Sequence, residues 1–130
     1  MKTNALNILV ADDDEEIRSV VSAILRRRGH TVELVKNGDE AIKLFALKPG
    51  FFDVLITDHN MPLVSGLELV HHLRKSGVQT KIIVISGSLT EELLAAYQTK
   101  HVDKILQKPF MLENLASTLN DVLEQWKQAA

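Results

Sequence analysis

Asp12, Asp13, Asp58, Ser86 and Lys108 are the residues of this chain whose types and spacing could do chemistry. Asp12 and Asp13 close one apolar run, Asp58 a second, Ser86 a third and Lys108 a weaker fourth. If those runs are strands of one parallel sheet in the order 2-1-3-4-5, the aspartates converge at its carboxyl edge, where ligands of such sheets bind. The serine hydroxyl and the lysine ammonium then enter from one side. Carboxylates crowded into one cleft repel each other, and each tends to hold its proton without compensation. A divalent cation resolves this. Oxygen ligands without His or Cys suit Mg²⁺, which keeps several waters and takes one or two protein carboxylates. A phosphoryl oxygen could fill an open position on the ion. Lys108 could pair with a second oxygen as a point charge, and Ser86 could hydrogen-bond a third. Asp58 would then be a carboxylate nucleophile for phosphoryl transfer, forming an acyl phosphate. The protein's share of such chemistry is positioning and charge neutralisation.

The elements that must position these groups follow from hydrophobic pattern. Runs rich in Val, Ile and Leu at 6–11, 30–35, 53–57, 81–85 and 104–107 predict five strands. The first, third and fourth are almost continuously apolar, as expected of strands covered on both faces. Between them lie helical patterns. Ile17, Val20, Val21, Ile24 and Leu25 form one stripe at helical spacing. Asp14 is a natural N-cap for that helix, Glu15 and Glu16 suit its first turn, and Arg26 to Arg28 suit its last. Gly29 then stands at C′. A second helix is expected over 39–47 with Ile42 and Phe45 inward, stopped by Pro49-Gly50. A third is expected over 66–75 with Leu67, Val70 and Leu73 inward. A fourth is expected over 90–100 with Leu93 and Tyr97 inward, and a fifth over 112–128 carrying Leu112, Leu115, Leu119, Val122, Leu123 and Trp126. Strand-helix repeated in this way predicts an α/β, doubly wound, flavodoxin-like (β/α)5 fold with right-handed crossovers.

Composition bounds the rest. The chain has 130 residues, 45% hydrophobic and 25% charged, which predicts one globular domain over 1–130 with a core at about 7–126. A net charge of −2 gives no global pull toward nucleic acid or an anionic membrane. No apolar run is long enough to span a bilayer, and the start lacks the pattern of a signal peptide. The absence of cysteine removes disulfides, thiolate nucleophiles and zinc–cysteine sites. A cytoplasmic location is the expectation.

Taken together, these residues resemble the receiver domain of bacterial two-component response regulators, the single-domain chemotaxis-regulator fold. The matching segments are Ile8-Leu9-Val10-Ala11-Asp12-Asp13, then Asp58-His59-Asn60-Met61-Pro62 with Gly66 beyond, then Ser86-Gly87, then Lys108-Pro109-Phe110. They stand in the family's order and spacing. The resemblance implies that Asp58 is the phosphoacceptor and that Asp13 binds Mg²⁺ directly, with Asp12 helping through water. It implies that Asn60 gives the metal its backbone carbonyl, Ser86 is the switch hydroxyl, and Lys108 bridges to the phosphoryl group. The Lys108-Pro109 bond is typically cis in the family, and the side chains at Asn60 and Ser88 lie where it tunes phosphoryl lifetime. A histidine kinase or histidine phosphotransfer protein is the implied donor. A downstream protein target is the implied reader of a surface built from helix 4, strand 5 and helix 5. The implied state is a monomer or weak homodimer, without enzymatic turnover beyond self-phosphorylation from phosphodonors and autodephosphorylation.

Two positions depart from the family pattern. Its usual aromatic residue, three positions before the lysine, is Ile105 here. Gly87 follows Ser86 where Ala is more common, so the loop into helix 4 is expected to be more mobile. A shift of that loop and helix is the expected replacement for the aromatic swing.

Blander readings compete at each residue. Asp14 to Glu16 are explained by a cap and a solvated first turn, whereas Asp12 and Asp13 close an apolar strand. Asp58 could merely open a turn before Met61-Pro62, and Ser86 could be only a turn residue. The histidines, His30, His59, His71, His72 and His101, show no zinc-like spacing with carboxylates and read as surface or structural. His59 adjoins Asp58 and could gate access to it. An aspartyl-nucleophile phosphatase of the haloacid dehalogenase class is the enzymatic alternative. Glu16 stands where its acidic motif wants Thr or Val, and the chain leaves no room for a cap. A receiver-like binding module without phosphorylation is the third alternative, and the intact acid set argues against it.

Overall fold

A computed structural model describes residues 5–108 together with 114, 115, 117, 118, 120 and 121. The element order is β1 (Asn7–Ala11), α1 (Glu15–Arg27), β2 (Thr31–Val35), α2 (Gly38–Leu47), β3 (Val54–Asp58), α3 (Gly66–Lys75), β4 (Lys81–Ser86), α4 (Glu91–Gln98) and β5 (Lys104–Gln107). The strands form a five-stranded sheet in the order β2-β1-β3-β4-β5, and every neighbouring pair is parallel. This is the doubly wound α/β architecture expected of the strand-helix alternation.

Apolar side chains on the two faces of the sheet form separate cores. Ile8, Val10, Ile56, Ile83 and Ile85 join Val21 and Leu25 of α1 and Leu115 on one face. Leu9, Leu55, Ile82 and Val84 join Phe45, Leu69, Leu73 and Tyr97 on the other. Alternate residues of one strand point to opposite faces, so only a strand covered twice reads as a continuous apolar run. Every residue of β3 is buried, whereas the edge strand β2 exposes Thr31 and Leu34.

The helices start where the caps are. Asp14 accepts hydrogen bonds from the Glu16 and Ile17 amides, Asn37 from Glu40, and Thr90 from Leu93. Ser65 and Glu68 form a reciprocal capping box at α3. Gly29, at φ +93°, takes the left-handed position after α1.

Some expectations shift by small amounts. Val20, on the apolar stripe of α1, is 39% exposed, while Ser22 is buried. The stripe is wider than the part of α1 that the sheet covers, and Val20 falls on its solvent margin. Ile42 and Leu67 are half-buried, while Ala41 and Leu69 take the deep positions on α2 and α3. β3 and β4 each extend one residue further than their apolar runs, so Asp58 and Ser86 are themselves the last paired residues. Backbone ladders are indifferent to side-chain polarity. Leu115 is buried, and the six described residues beyond Lys108 are helical. The rest of the expected 112–128 helix and the Lys108-Pro109 bond lie outside the described residues.

His30 is structural. Its Nδ1 accepts a hydrogen bond from the buried Leu6 amide at 3.1 Å. Burial, with the charge of Arg28 nearby, pushes its pKa below the usual histidine value. Between those two values the unfolded chain binds more protons, so stability falls as pH drops through that window. Asn at this position keeps an acceptor and removes the titration. His30→Asn is therefore expected to flatten the fall in melting temperature between about pH 7 and pH 5. Equal slopes for the two proteins would show that His30 contributes nothing to the acid response.

Candidate functional site

The carboxyl ends of β1, β3, β4 and β5 bring the sequence-predicted groups to one edge. Asp12 follows β1, is 1% exposed, and is fixed by its amide, which donates to the Val35 carbonyl at 3.2 Å. Its Oδ1 accepts from the Asp14 amide at 2.9 Å, and its carbonyl accepts from Arg18 Nη1 at 2.6 Å. Asp13 is exposed at the rim. Asp58 ends β3 and is 4% exposed. Carboxylate oxygens of Asp12, Asp13 and Asp58 all lie within 4.8 Å of one another.

Lys108 reaches into this group from the end of β5. Its amide donates to the Ser86 carbonyl at 2.7 Å. Its Nζ lies 3.3 Å from Asp58 Oδ1 and 3.5 Å from Asp12 Oδ2. The contact with Asp58 is an ion pair. That buried oxygen has no hydrogen-bond partner among the described residues. A buried carboxylate oxygen without a hydrogen-bond donor is costly, and a cation of oxygen-seeking type would relieve it. The all-oxygen donor set fits Mg²⁺.

The electrostatics agree with the packing. Burial pushes the carboxyls of Asp12 and Asp58 above the usual range, against the pull of Lys108. The negative charge of Asp58 adds to the rise at Asp12, and that of Asp13 adds to the rise at Asp58. Burial pulls Lys108 down, and Asp12 and Asp58 together more than offset it, so its ammonium is held charged.

The remaining predicted residues are also at this edge. The Asn60 amide favours the charged form of Asp58, and Asn60 itself is exposed. Ser86 is fully buried and turned onto its own loop. Its hydroxyl donates to the Ser88 carbonyl at 3.0 Å and accepts from the Ser88 amide at 3.2 Å. Gly87 is exposed, with open space where a Cβ would stand. Ile105 is half-buried against the core that contains Tyr97. A groove at the opposite end of the sheet, bordered by Ile42, Phe45, Leu73 and Lys81, shares no residue with the acidic group.

One contact was not foreseen. His59 Nδ1 lies 2.6 Å from the Tyr97 hydroxyl, a hydrogen bond whose donor follows the ring tautomer. The sequence singled out each residue separately, His59 for its place beside Asp58 and Tyr97 for its place on a helical stripe. Nothing in periodicity joins them.

A family model for the response regulator receiver domain matches residues 8–120. The chain belongs to that family. Known relatives are similar over nearly all of it. Response regulator MprA of Mycobacterium ulcerans is 34% identical over 124 residues, which is 95% of this chain and 52% of that protein. Sensory/regulatory protein RpfC of Xanthomonas campestris pv. campestris is 33% identical over 99% of this chain and 18% of its own length. The chain thus spans about half or less of these curated relatives. Among solved structures, the chemotaxis response regulator CheY4 of Vibrio cholerae superposes with a TM-score of 0.82 at 32% identity, covering 91% of this chain and 98% of that one. A CheY-like receiver of Methanospirillum hungatei reaches 0.88 at 23% identity over 97% of this chain and 99% of that one, and shows the shared fold. This receiver is therefore one of the signal-receiving domains of two-component response regulators. Among its described residues, no helix is long and apolar enough to cross a membrane.

Proposed function

We propose that Asp58 of this receiver accepts a phosphoryl group from a histidine kinase or histidine phosphotransfer protein in a Mg²⁺-dependent reaction. An Asp58 carboxylate oxygen forms the new bond to phosphorus. The bond from phosphorus to the donor's histidine nitrogen breaks, and its electron pair stays on that nitrogen. Asp12, Asp13, Asp58 and the Asn60 carbonyl would hold Mg²⁺, which supplies charge neutralisation and orientation of a phosphoryl oxygen when bound. Lys108 holds a positive charge where the transferred oxygens gather. Ser86 releases Ser88 and turns its hydroxyl to the phosphoryl group.

The observation that carries this reading is the buried Asp58 Oδ1, without a hydrogen-bond partner among the described residues, 3.3 Å from the Lys108 ammonium and beside two further carboxylates. Burial raises the Asp58 carboxyl, and a nucleophile must be ionised. Lys108 and a metal ion lower it again, so the same neighbours that bind the phosphoryl group also make the attacking anion available.

The product is a signal, not a released compound. The domain would catalyse only its own phosphorylation and dephosphorylation. Its output is a changed surface of α4, β5 and the helix after it, read by a downstream protein in the cytoplasm. The test is incubation with acetyl phosphate, with Mg²⁺ or with a chelator, followed by phosphate-affinity electrophoresis. A retarded band that requires Mg²⁺ is expected. Absence of that band in Mg²⁺, with acetyl phosphate and with a panel of phosphorylated histidine donors, would overturn the reading.

A further inference from the structure

We propose that Tyr97 is a positioning residue that couples α4 to Asp58 through its hydrogen bond to His59. This inference rests on Asp58 being the phosphoacceptor.

The argument begins with how α4 is held. It is eight residues long, and Tyr97, its penultimate residue, is the buried one. The Tyr97 ring meets the His59 ring edge-on, with centroids 5.6 Å apart at 78°. Its hydroxyl lies 2.6 Å from His59 Nδ1. Burial, with the charge of Asp58, pushes the Tyr97 phenol well up, so it keeps its proton.

His59 itself has little freedom. Its amide donates to the Ile85 carbonyl at 2.8 Å, and its carbonyl accepts from the Gly66 amide at 2.9 Å. The backbone next to Asp58 is thus pinned to β4 and to the start of α3. The His59 side chain is its route to α4. The phenol tip also leaves no slack, since a Cβ on Gly66 would stand 2.9 Å from the Tyr97 hydroxyl.

The other end of α4 is tied to the same site. Ser86 holds Ser88 by two hydrogen bonds, and two residues later Thr90 caps α4. A turn of Ser86 toward Asp58 must therefore move the loop that feeds the helix. α4 is held from its first turn by that loop and from its last by Tyr97. A rigid segment with two attachments to one site responds as a lever. Ile105, which has no polar atom in its side chain, packs against the core that contains Tyr97. The hydroxyl that the Ile105 side chain lacks is present on α4 at Tyr97.

Tyr97→Phe keeps the ring and removes the hydrogen bond. The test is amide chemical shift on adding beryllofluoride and Mg²⁺ to the full chain. Wild type is expected to shift both at 58–66 and across α4. Tyr97→Phe is expected to keep the first set and reduce the second at least twofold. His59→Phe is expected to do the same, and the double variant is expected to lose no more than either single one. Undiminished α4 shifts in Tyr97→Phe, with wild type responding, would overturn the coupling and leave the phosphoacceptor intact. Absence of shifts at 58–66 in wild type would instead overturn the phosphoacceptor reading, and the coupling with it.

Discussion

Asp58→Asn is expected to abolish labelling by acetyl phosphate and, at the same time, to raise the melting temperature of the metal-free protein. The two effects share one cause. The carboxylate is a buried anion beside Asp12 and Asp13, and Oδ1 has no hydrogen-bond partner among the described residues. Burial pushes its pKa up, which says that the folded protein carries the charge at a cost. Asn has nearly the same shape and no charge. Removing the repulsion is worth on the order of 1 kcal/mol, or about 3–5 °C for a domain of this size. Lys108 is not stranded by the change, because Asp12 remains 3.5 Å away. The amide is also no nucleophile for phosphorus, so the retarded band is expected to fall below detection. Labelling equal to wild type would exclude Asp58 as the acceptor. The melting curve guards the inference, since a stabilised variant that fails to label has lost chemistry and not structure. Added Mg²⁺ is expected to raise the melting temperature of wild type more than that of the variant.

That site was legible because of where its polar residues stand. Asp12, Asp58 and Ser86 each close a run that a two-sided core demands to be apolar, and a polar residue there has left the core for the sheet edge. The elements were legible for the same reason, with Asp14 marking the start of α1 by its side chain. The order of the strands was a condition that the residues did not supply. The parallel ladders bear that condition out. What could not be read was the meeting of side chains from different elements. His59 and Tyr97 are 38 residues apart, and their contact depends on how α4 sits against the β3–α3 loop. The inward turn of Ser86 onto Ser88 is a rotamer choice within three residues, and no spacing encodes it. Val20 shows the same limit in packing: a stripe says which side of a helix is apolar, and the width of the covering sheet decides how much of it is buried.

Gly66→Ala offers the sharpest test of how tightly this edge is built, because two general rules predict opposite signs. Gly66 is the first residue of α3, where Ala favours a helix over Gly by up to about 1 kcal/mol. Propensity alone therefore predicts a more stable protein. Packing predicts the reverse. A Cβ at Gly66 would lie 2.5 Å from the Asp58 carbonyl oxygen, 2.8 Å from the His59 Cα and 2.9 Å from the Tyr97 hydroxyl. The first two are backbone atoms, which cannot swing aside as a side chain can. They also belong to the phosphoacceptor and its neighbour. Relief requires the β3–α3 loop to part from α3, against the hydrogen bond from the Gly66 amide to the His59 carbonyl. Overpacking of this kind costs about 1–3 kcal/mol, which exceeds the helical gain. Urea unfolding is expected to show a lower midpoint for Gly66→Ala, and acetyl phosphate is expected to label it more slowly. Gly87→Ala is the matched control. A Cβ there meets nothing within 4 Å, so its midpoint should stay within about 0.5 kcal/mol of wild type. A midpoint for Gly66→Ala at or above that of wild type would mean that the loop yields freely. Asp58 would then not be held by the start of α3, and the rigidity on which the coupling of α4 depends would be lost with it.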